Sequence, residues 1–486
     1  MSFSLNNFYA HWRRQCGAAP TLREGADAPP EQLLQSIWQQ QRLHRDQLST
    51  FDGKPVRILH PGFLSREGGP DFRAAVIQFG NQPPISGDVE LDLVAGGWKA
   101  HGHDRNAKFK SVILHVVWQS PTRPADGPPL VAIQGKLDAP IAELAEWLGG
   151  ESVPGLPEEF RGRCAAPLRE LNETALQDLL QQAALVRLHG KASQFAARAR
   201  EAGWEQSLWE GLFRALGYKH NPWPMQRLAE LRLRWQTQSA DAVGLQSRLL
   251  GIANLLPGEL TRARIEADAY LRQLWDGWWR ERDTYEDCLL PRSLWRLHGI
   301  RPVNHPQRRL ALAAHWLADG KIITKLERWA TQLGDISGKG KLRRQYNELA
   351  AILQPARDEF WLRHLTLRSQ RSAKPQLLLG DARITDLAMN VILPWLWARA
   401  CEGRDPSLTG SLQATYLAWP AGEDNSVLKL ARQRLLGTTS DKVFTTASTQ
   451  QGLLQIVRDF CDHSNAVCDH CRFPELVKAW NAESPR

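Results

Sequence analysis

Long apolar runs are missing from this sequence. A membrane-spanning helix needs about 18 consecutive hydrophobic residues, and the longest candidate, AMNVILPWLWARA, is shorter and reads as a core helix. No membrane partner is expected. The segment MSFSLNNFYAHWRRQ has no apolar stretch with a small-residue cleavage site, so no secretory signal is expected either. Cysteine is sparse, 7 in 486 residues with no regular framework, which excludes a disulfide-stapled scaffold and fits a reduced, cytoplasmic chain. No fixed-length repeat recurs, disfavouring a solenoid. GKGKLRRQ lacks complete phosphate-loop spacing, which excludes nucleotide hydrolysis of that type.

Tryptophan, by contrast, is abundant at 20 residues, mostly as packing anchors. Lys and Arg number 61 against 52 Asp and Glu, a net charge of +9 that attracts polyanions without identifying one. Most of that positive charge is arginine, which suits bidentate contact with phosphate or carboxylate.

Hydrophobic period changes along the chain. EQLLQSIWQQQRLHRD follows Pro-Pro with apolar residues at helical spacing. Five β-type runs come next: PVRILH, DFRAAVIQF, ISGDVELDLV, SVILHVVW and PLVAIQG, each bounded by Gly, Pro, Asn or Asp. SVILHVVW is almost continuously apolar, as for a strand covered on both faces. Residues 1–137 therefore read as an α+β domain, a helix on a mixed sheet. Residues 138–164 include the Pro/Gly-rich stretch GGESVPGLPEEFRGRC and read as a linker. A large all-α region follows, divided into 165–335 and 336–486 near GDISGKGKLRRQ.

The chemistry concentrates in GPDFRAAVI and GDVELDLVAGGWKAHGHD. Side chains alternate across a strand, so Asp88, Glu90 and Asp92 share one face. NQPP can turn the preceding strand back as a hairpin, which lets Asp71 and Glu90 converge. Converging carboxylates repel unless a cation sits between them, and Mg²⁺ or Mn²⁺ with phosphate oxygens is the usual solution. His101 and His103, at i and i+2, can ligate a metal from an extended loop with Glu90 or Asp104, or act as a base or a phosphate contact. His115 lies in an apolar strand and reads as a core histidine.

This order of elements resembles the restriction-endonuclease-like nucleases, whose pattern is Pro-Asp, a variable gap, then Asp/Glu-x-Lys. The resemblance implies Asp71 and Glu90 as metal ligands and Glu31 as an accessory acid. The lysine position is Asp92 here, which becomes either a third ligand or a departure filled by Lys99, Lys108 or Lys110. Nearly the whole chain also resembles an uncharacterised bacterial family, the 2851-type domain of unknown function, through EQLLQSIWQQQRL, HPGFLSREGGPDFRAAVI, FRALGYKHNPWPMQRLA and GIRPVNHPQRRLA. That family supplies no activity.

CDHSNAVCDHC places Cys461, Cys468 and Cys471 at C-x6-C-x2-C spacing, a zinc or iron–sulfur half-site, with Cys164 the first choice of fourth ligand. Some of the resembled nucleases clamp their ends with an iron–sulfur cluster, although their lone cysteine precedes the nuclease core. Arg301, His305, Arg308 and Arg309 flank a helix start and suggest a phosphate seat; Lys339, Lys341, Arg343 and Arg344 add a basic loop. The expectation is a divalent-metal nuclease on DNA or RNA. A non-catalytic nucleic-acid-binding protein with a degenerate nuclease-like fold, or a histidine/carboxylate metalloenzyme acting on a small molecule, are the alternatives.

Overall fold

The computed structural model describes residues 7–15, 29–65, 69–123, 127–141, 144, 164–236, 241–257, 268–298, 300–334, 339–355, 357–423, 426–436, 444–461 and 471–483. They belong to two compact units, Met1–Ala197 with Glu423–Arg486, and Arg198–Gly422.

The first unit holds the mixed sheet expected from the β-type runs. Its strands are β1 (Val56–His60), β2 (Phe63–Leu64), β3 (Phe72–Phe79), β4 (Ile85–Asp92), β5 (Val112–Val117) and β6 (Leu130–Ala132). They lie in the order β1-β3-β4-β5-β6, with β2 beside β3. β3 is antiparallel to β1, β2 and β4, whereas β5 is parallel to β4 and β6. Helix α1 spans Phe8–Gln15 and α2 spans Glu31–Gln40. The α2 residues Leu33, Leu34, Ile37 and Trp38 form one stripe, and that stripe joins Ile58, Phe72, Ile77, Val89, Leu114 and Val116 in the core beneath the sheet.

β3 and β4 form the hairpin implied by NQPP, turning through Gly80 at φ +55° and residues 81–84. The hairpin carries a bulge. Ala75 pairs with Gly87 but Phe72 pairs with Val89, so Arg73 and Ala74 together face Asp88. Ala74 takes a left-handed φ of +56°, and the Asp88 carboxylate accepts its N–H at 3.1 Å. Asp88 also accepts the Ser111 hydroxyl at 2.6 Å. This acid therefore holds the bulge.

The other half of the first unit is helical. Residues of α1 and of helices Glu173–Ala202, Ser426–Leu436, Ala447–Ile456 and Phe473–Glu483 share an apolar cluster that includes Tyr9, Leu179, Leu435, Leu453 and Phe473. Within it, buried Asp459 accepts the Tyr9 hydroxyl at 2.8 Å and Arg13 Nε at 2.9 Å. The chain's final stretch thus belongs with its beginning, so the compact units differ from a sequential division at 137, 164 and 335. Most of 138–164 lies outside the described residues. Periodicity identifies an apolar helix face but carries no information on which distant face covers it.

The second unit is helical throughout its longer elements. AMNVILPWLWARA is a buried helical stretch, with a widened turn at Ala388–Ile392 just ahead of Pro394, whose missing N–H breaks the regular ladder. No helix among the described residues is long and apolar enough to cross a membrane.

Here the structure corrects the phosphate-seat expectation. Arg308 and Arg309 lie on helix Pro306–Asp319 and are both buried. Arg308 donates to the carbonyls of Trp361, His364, Gln376 and Leu377; Arg309 donates to those of Leu378 and Val303. Residues 361–378 contain no regular helix or strand, so their carbonyls need external donors, and the guanidinium fork supplies several at once. His305 caps this helix by accepting the Gln307 N–H at 3.3 Å, and burial holds its imidazole down at about 4, hence neutral at pH 7. Of the four, Arg301 alone is exposed.

Truncating Arg308 should therefore unfold rather than unbind. Arg308→Ala strands several buried carbonyls and should lower stability by roughly 3–5 kcal/mol, whereas exposed Arg343→Ala should stay within about 0.5 kcal/mol. Denaturant unfolding of the full chain measures both.

Candidate metal centre

The bulge sets the phase of the site. Continued without it, the Ala75–Gly87 pairing would put Asp71 opposite Leu91, on the core face; with it, Asp71 sits opposite Glu90. The two acids latch the strands reciprocally. Glu90 Oε2 accepts the Asp71 N–H at 3.0 Å, and Asp71 Oδ2 accepts the Leu91 N–H at 2.9 Å. Asp71 Oδ1 accepts from Gln35 of α2 at 2.9 Å. Glu31, one turn earlier on α2, is exposed and close enough to repel both acids.

Asp92, at the end of β4, is buried. The crossover from β4 to β5 begins with α3 (Gly97–Ala100) and brings two histidines back over it. His101 Nδ1 lies 3.2 Å from Asp92 Oδ1, and His115 Nε2 on β5 lies 2.9 Å from Asp92 Oδ2. His103 Nδ1 is 3.5 Å from Glu90 Oε1, too far for a good hydrogen bond. Gly97 permits this closeness: a Cβ there would fall 2.5 Å from the Asp92 carboxyl carbon. The His103 ring is stacked on Phe109 at 4.0 Å between centroids and meets the Trp98 ring edge-on at 5.4 Å. Trp98, Phe109 and Val112 form a small separate core that supports the histidine wall.

Electrostatics favour a cation. Burial, then repulsion from Asp71, Asp92 and Glu31, pushes the Glu90 carboxyl up to about 8. Burial raises Asp71 to about 6, with Glu31 and Asp92 adding to it. Burial lowers the His103 imidazole, keeping it neutral and available as a ligand. Oxygen donors at Asp71 and Glu90 are of the kind that suits Mg²⁺ or Mn²⁺: Glu90 is buried, Asp71 half-buried, and a cation would displace the proton that burial and repulsion favour on each.

A family model described as "Protein of unknown function (DUF2851)" matches residues 31–425. The chain belongs to that family. No curated protein and no solved structure matches it. The DUF2851 match begins at Glu31 and contains the whole acid–histidine site, but it stops before Cys461.

Other expected residues of this DUF2851 chain are exposed or belong to the helical cluster of the first unit. Lys99, Lys108 and Lys110 are exposed on the crossover. Asp104 lies 3.7 Å from Arg105 and is not in the group of donors that meet within 4.8 Å. Cys164 and Cys461 are buried in the helical cluster of the first unit and Cys471 packs against it; Cys468 lies outside the described residues. Among the described residues no three cysteine, histidine or acidic donors approach one another within 4.8 Å except those of Asp92, His101 and His103. Lys341, Arg343 and Arg344 are exposed on helix Lys339–Leu353; the side chain of Lys339 lies outside the described set.

Sequence reasoning missed Gln35 and underused His115. Gln35 was signalled by its place one turn after Glu31. His115 lies opposite Glu90 in the parallel β4–β5 register, which no local motif announces.

A pH prediction follows from Glu90. Its folded-state value is raised, so the stability of its protonated form is present below the ordinary carboxyl value of about 4.3 and is lost as pH rises through about 8. In chelator, Glu90→Gln should melt higher than wild type at pH 9, by roughly 2–4 °C per kcal/mol of repulsion relieved, and the advantage should disappear at pH 5. Thermal unfolding followed by circular dichroism measures it.

Proposed function

We propose that this centre binds a divalent metal ion and hydrolyses phosphodiester bonds in nucleic acid, on an N-terminal lobe of the restriction-endonuclease-like type. The observation that supports the reading is the meeting of Asp71 and Glu90 across the β3–β4 register, the first half-buried and the second buried, each raised by burial and by the acids around it. Mg²⁺ or Mn²⁺ held there would polarise a water molecule and the scissile phosphate. Asp71 and Glu90 would release their protons to hold it, and Gln35 would keep the outer oxygen of Asp71 in place. Glu31 would act as an accessory acid from α2.

Charge on the supporting segments favours a polyanion. Arg73 at the bulge and Lys99, Arg105, Lys108 and Lys110 on the crossover are all exposed. Arg73 and Lys108 both flank Gly69, two residues before Asp71. Arg301, Lys341, Arg343 and Arg344 of the second unit are offered as further backbone contacts. The imidazoles beside Asp92 are the one feature that favours a small-molecule metalloenzyme; the surrounding cations favour a polymer. A zinc or iron–sulfur role for Cys164, Cys461, Cys468 and Cys471 draws no support from the described residues: Cys164, Cys461 and Cys471 share one apolar cluster, but their sulfurs form no donor group within 4.8 Å. Buried thiols fit a reducing, cytoplasmic setting.

The test is cleavage of single- and double-stranded DNA and RNA in Mg²⁺ or Mn²⁺. Wild type should cut, binding should weaken steeply with salt, and Glu90→Ala should lose on the order of 10²–10³ in rate. Undiminished cutting by Glu90→Ala would remove the mechanism. Salt-sensitive binding without cleavage by wild type would leave a nucleic-acid-binding protein.

A further inference from the structure

We propose that Asp92, His101 and His103 form a second cation subsite, beside the oxygen-lined position at Asp71 and Glu90, and that it takes a first-row transition dication, Zn²⁺ in preference to Mg²⁺. The inference deepens the metal-centre reading and rests on it only for the neighbouring ion.

Three observations carry it. One donor atom from each residue lies within 4.8 Å of the other two. Donors on one Zn²⁺ at about 2.1 Å stand roughly 3.4 Å apart, and His101 Nδ1 and Asp92 Oδ1 are already 3.2 Å apart. Next, His103 Nδ1 is buried without a hydrogen-bond partner, and its side chain is only 10% exposed. A buried ring nitrogen lacking a partner is uncommon unless something absent completes it. Finally, the subsite has the supports that metal ligands need. His115 holds the far oxygen of Asp92, and Phe109 and Trp98 fix the His103 ring.

Two imidazoles and one carboxylate favour zinc or its neighbours over magnesium, which prefers an octahedron of oxygens. His101 has 60% of its side chain exposed, so the subsite opens to solvent on that side. Three protein ligands with an open position is the pattern of a catalytic rather than a structural zinc. The pair of subsites would then differ in kind: a hard, oxygen-only position on the β3–β4 latch and a softer one on the crossover.

Co²⁺ is the probe, added to the chelator-treated full chain and read by its visible absorption, with Zn²⁺ as competitor. One equivalent should give the intense bands of a low-coordinate nitrogen-ligated site, and Zn²⁺ should abolish them. His103→Ala should weaken Co²⁺ affinity by at least about 100-fold, and His115→Gln by about 10-fold. Because His103 is packed in the small core, His101→Ala serves as the second variant; it alters an exposed side chain and should lose the same bands while keeping the wild-type circular dichroism. Asp71→Asn with Glu90→Gln should keep the bands even where cleavage is lost, which separates this subsite from the proposed hydrolytic ion. Absence of stoichiometric Co²⁺, bands that survive His101→Ala, or bands lost with the Asp71/Glu90 pair would each overturn the assignment.

Discussion

The phase of β3 against β4 governs the acidic end of this sheet. Alternation along a strand means that one residue of slip exchanges the core face for the open face. The two-for-one bulge at Arg73 and Ala74 makes that slip deliberately, taking Asp71 from the Leu91 face to the Glu90 face. Asp88 satisfies the amide the bulge strands, at the price of a left-handed φ at Ala74. Gly97 then lets the following segment fold back over Asp92. Each device is local, and together they bring three acids and three histidines to one end of the sheet.

That gathering has an electrostatic consequence. Asp71 and Glu90 take their hydrogen bonds from backbone amides and Gln35, while Asp92 meets His101 and His115, and His103 Nδ1 stops 3.5 Å short of Glu90 Oε1. Reciprocal latching alone would explain two facing carboxylates, since each has an amide to hold. It does not explain why Glu31 points charge at the same place, nor why His103 Nδ1 is buried with no hydrogen-bond partner. The proposed cation would account for both, because it would convert mutual repulsion among the acids into shared attraction.

Much of this end of the chain was legible in the sequence. The stripe on α2, the strands and the NQPP turn are local signals, and from them the approach of Asp71 to Glu90 could be reasoned within a residue or two. The bulge that makes the approach work was not legible, because Arg73-Ala74 has no bulge signature of its own. Parallel pairing of β4 with β5 was equally hidden, and with it the place of His115 behind Asp92. Arg308 and Arg309 misled for a different reason. A basic pair at a helix start looks the same whether it faces a phosphate or the carbonyls of an irregular loop 50 residues or more away in sequence. The return of the C-terminal helices to α1 depends on which apolar faces match, a property of the folded chain as a whole.

The central claim is that Asp71 and Glu90 wait, partly protonated, for a divalent ion. Calorimetric titration of Mn²⁺ into the full chain at pH 7, in buffers of different ionisation enthalpy, tests it most directly. With Glu90 near 8 and Asp71 near 6, binding should release about one proton per ion, and the release should fall toward zero above pH 9. Stoichiometric Mn²⁺ binding whose heat is the same in every buffer at pH 7 would contradict the account.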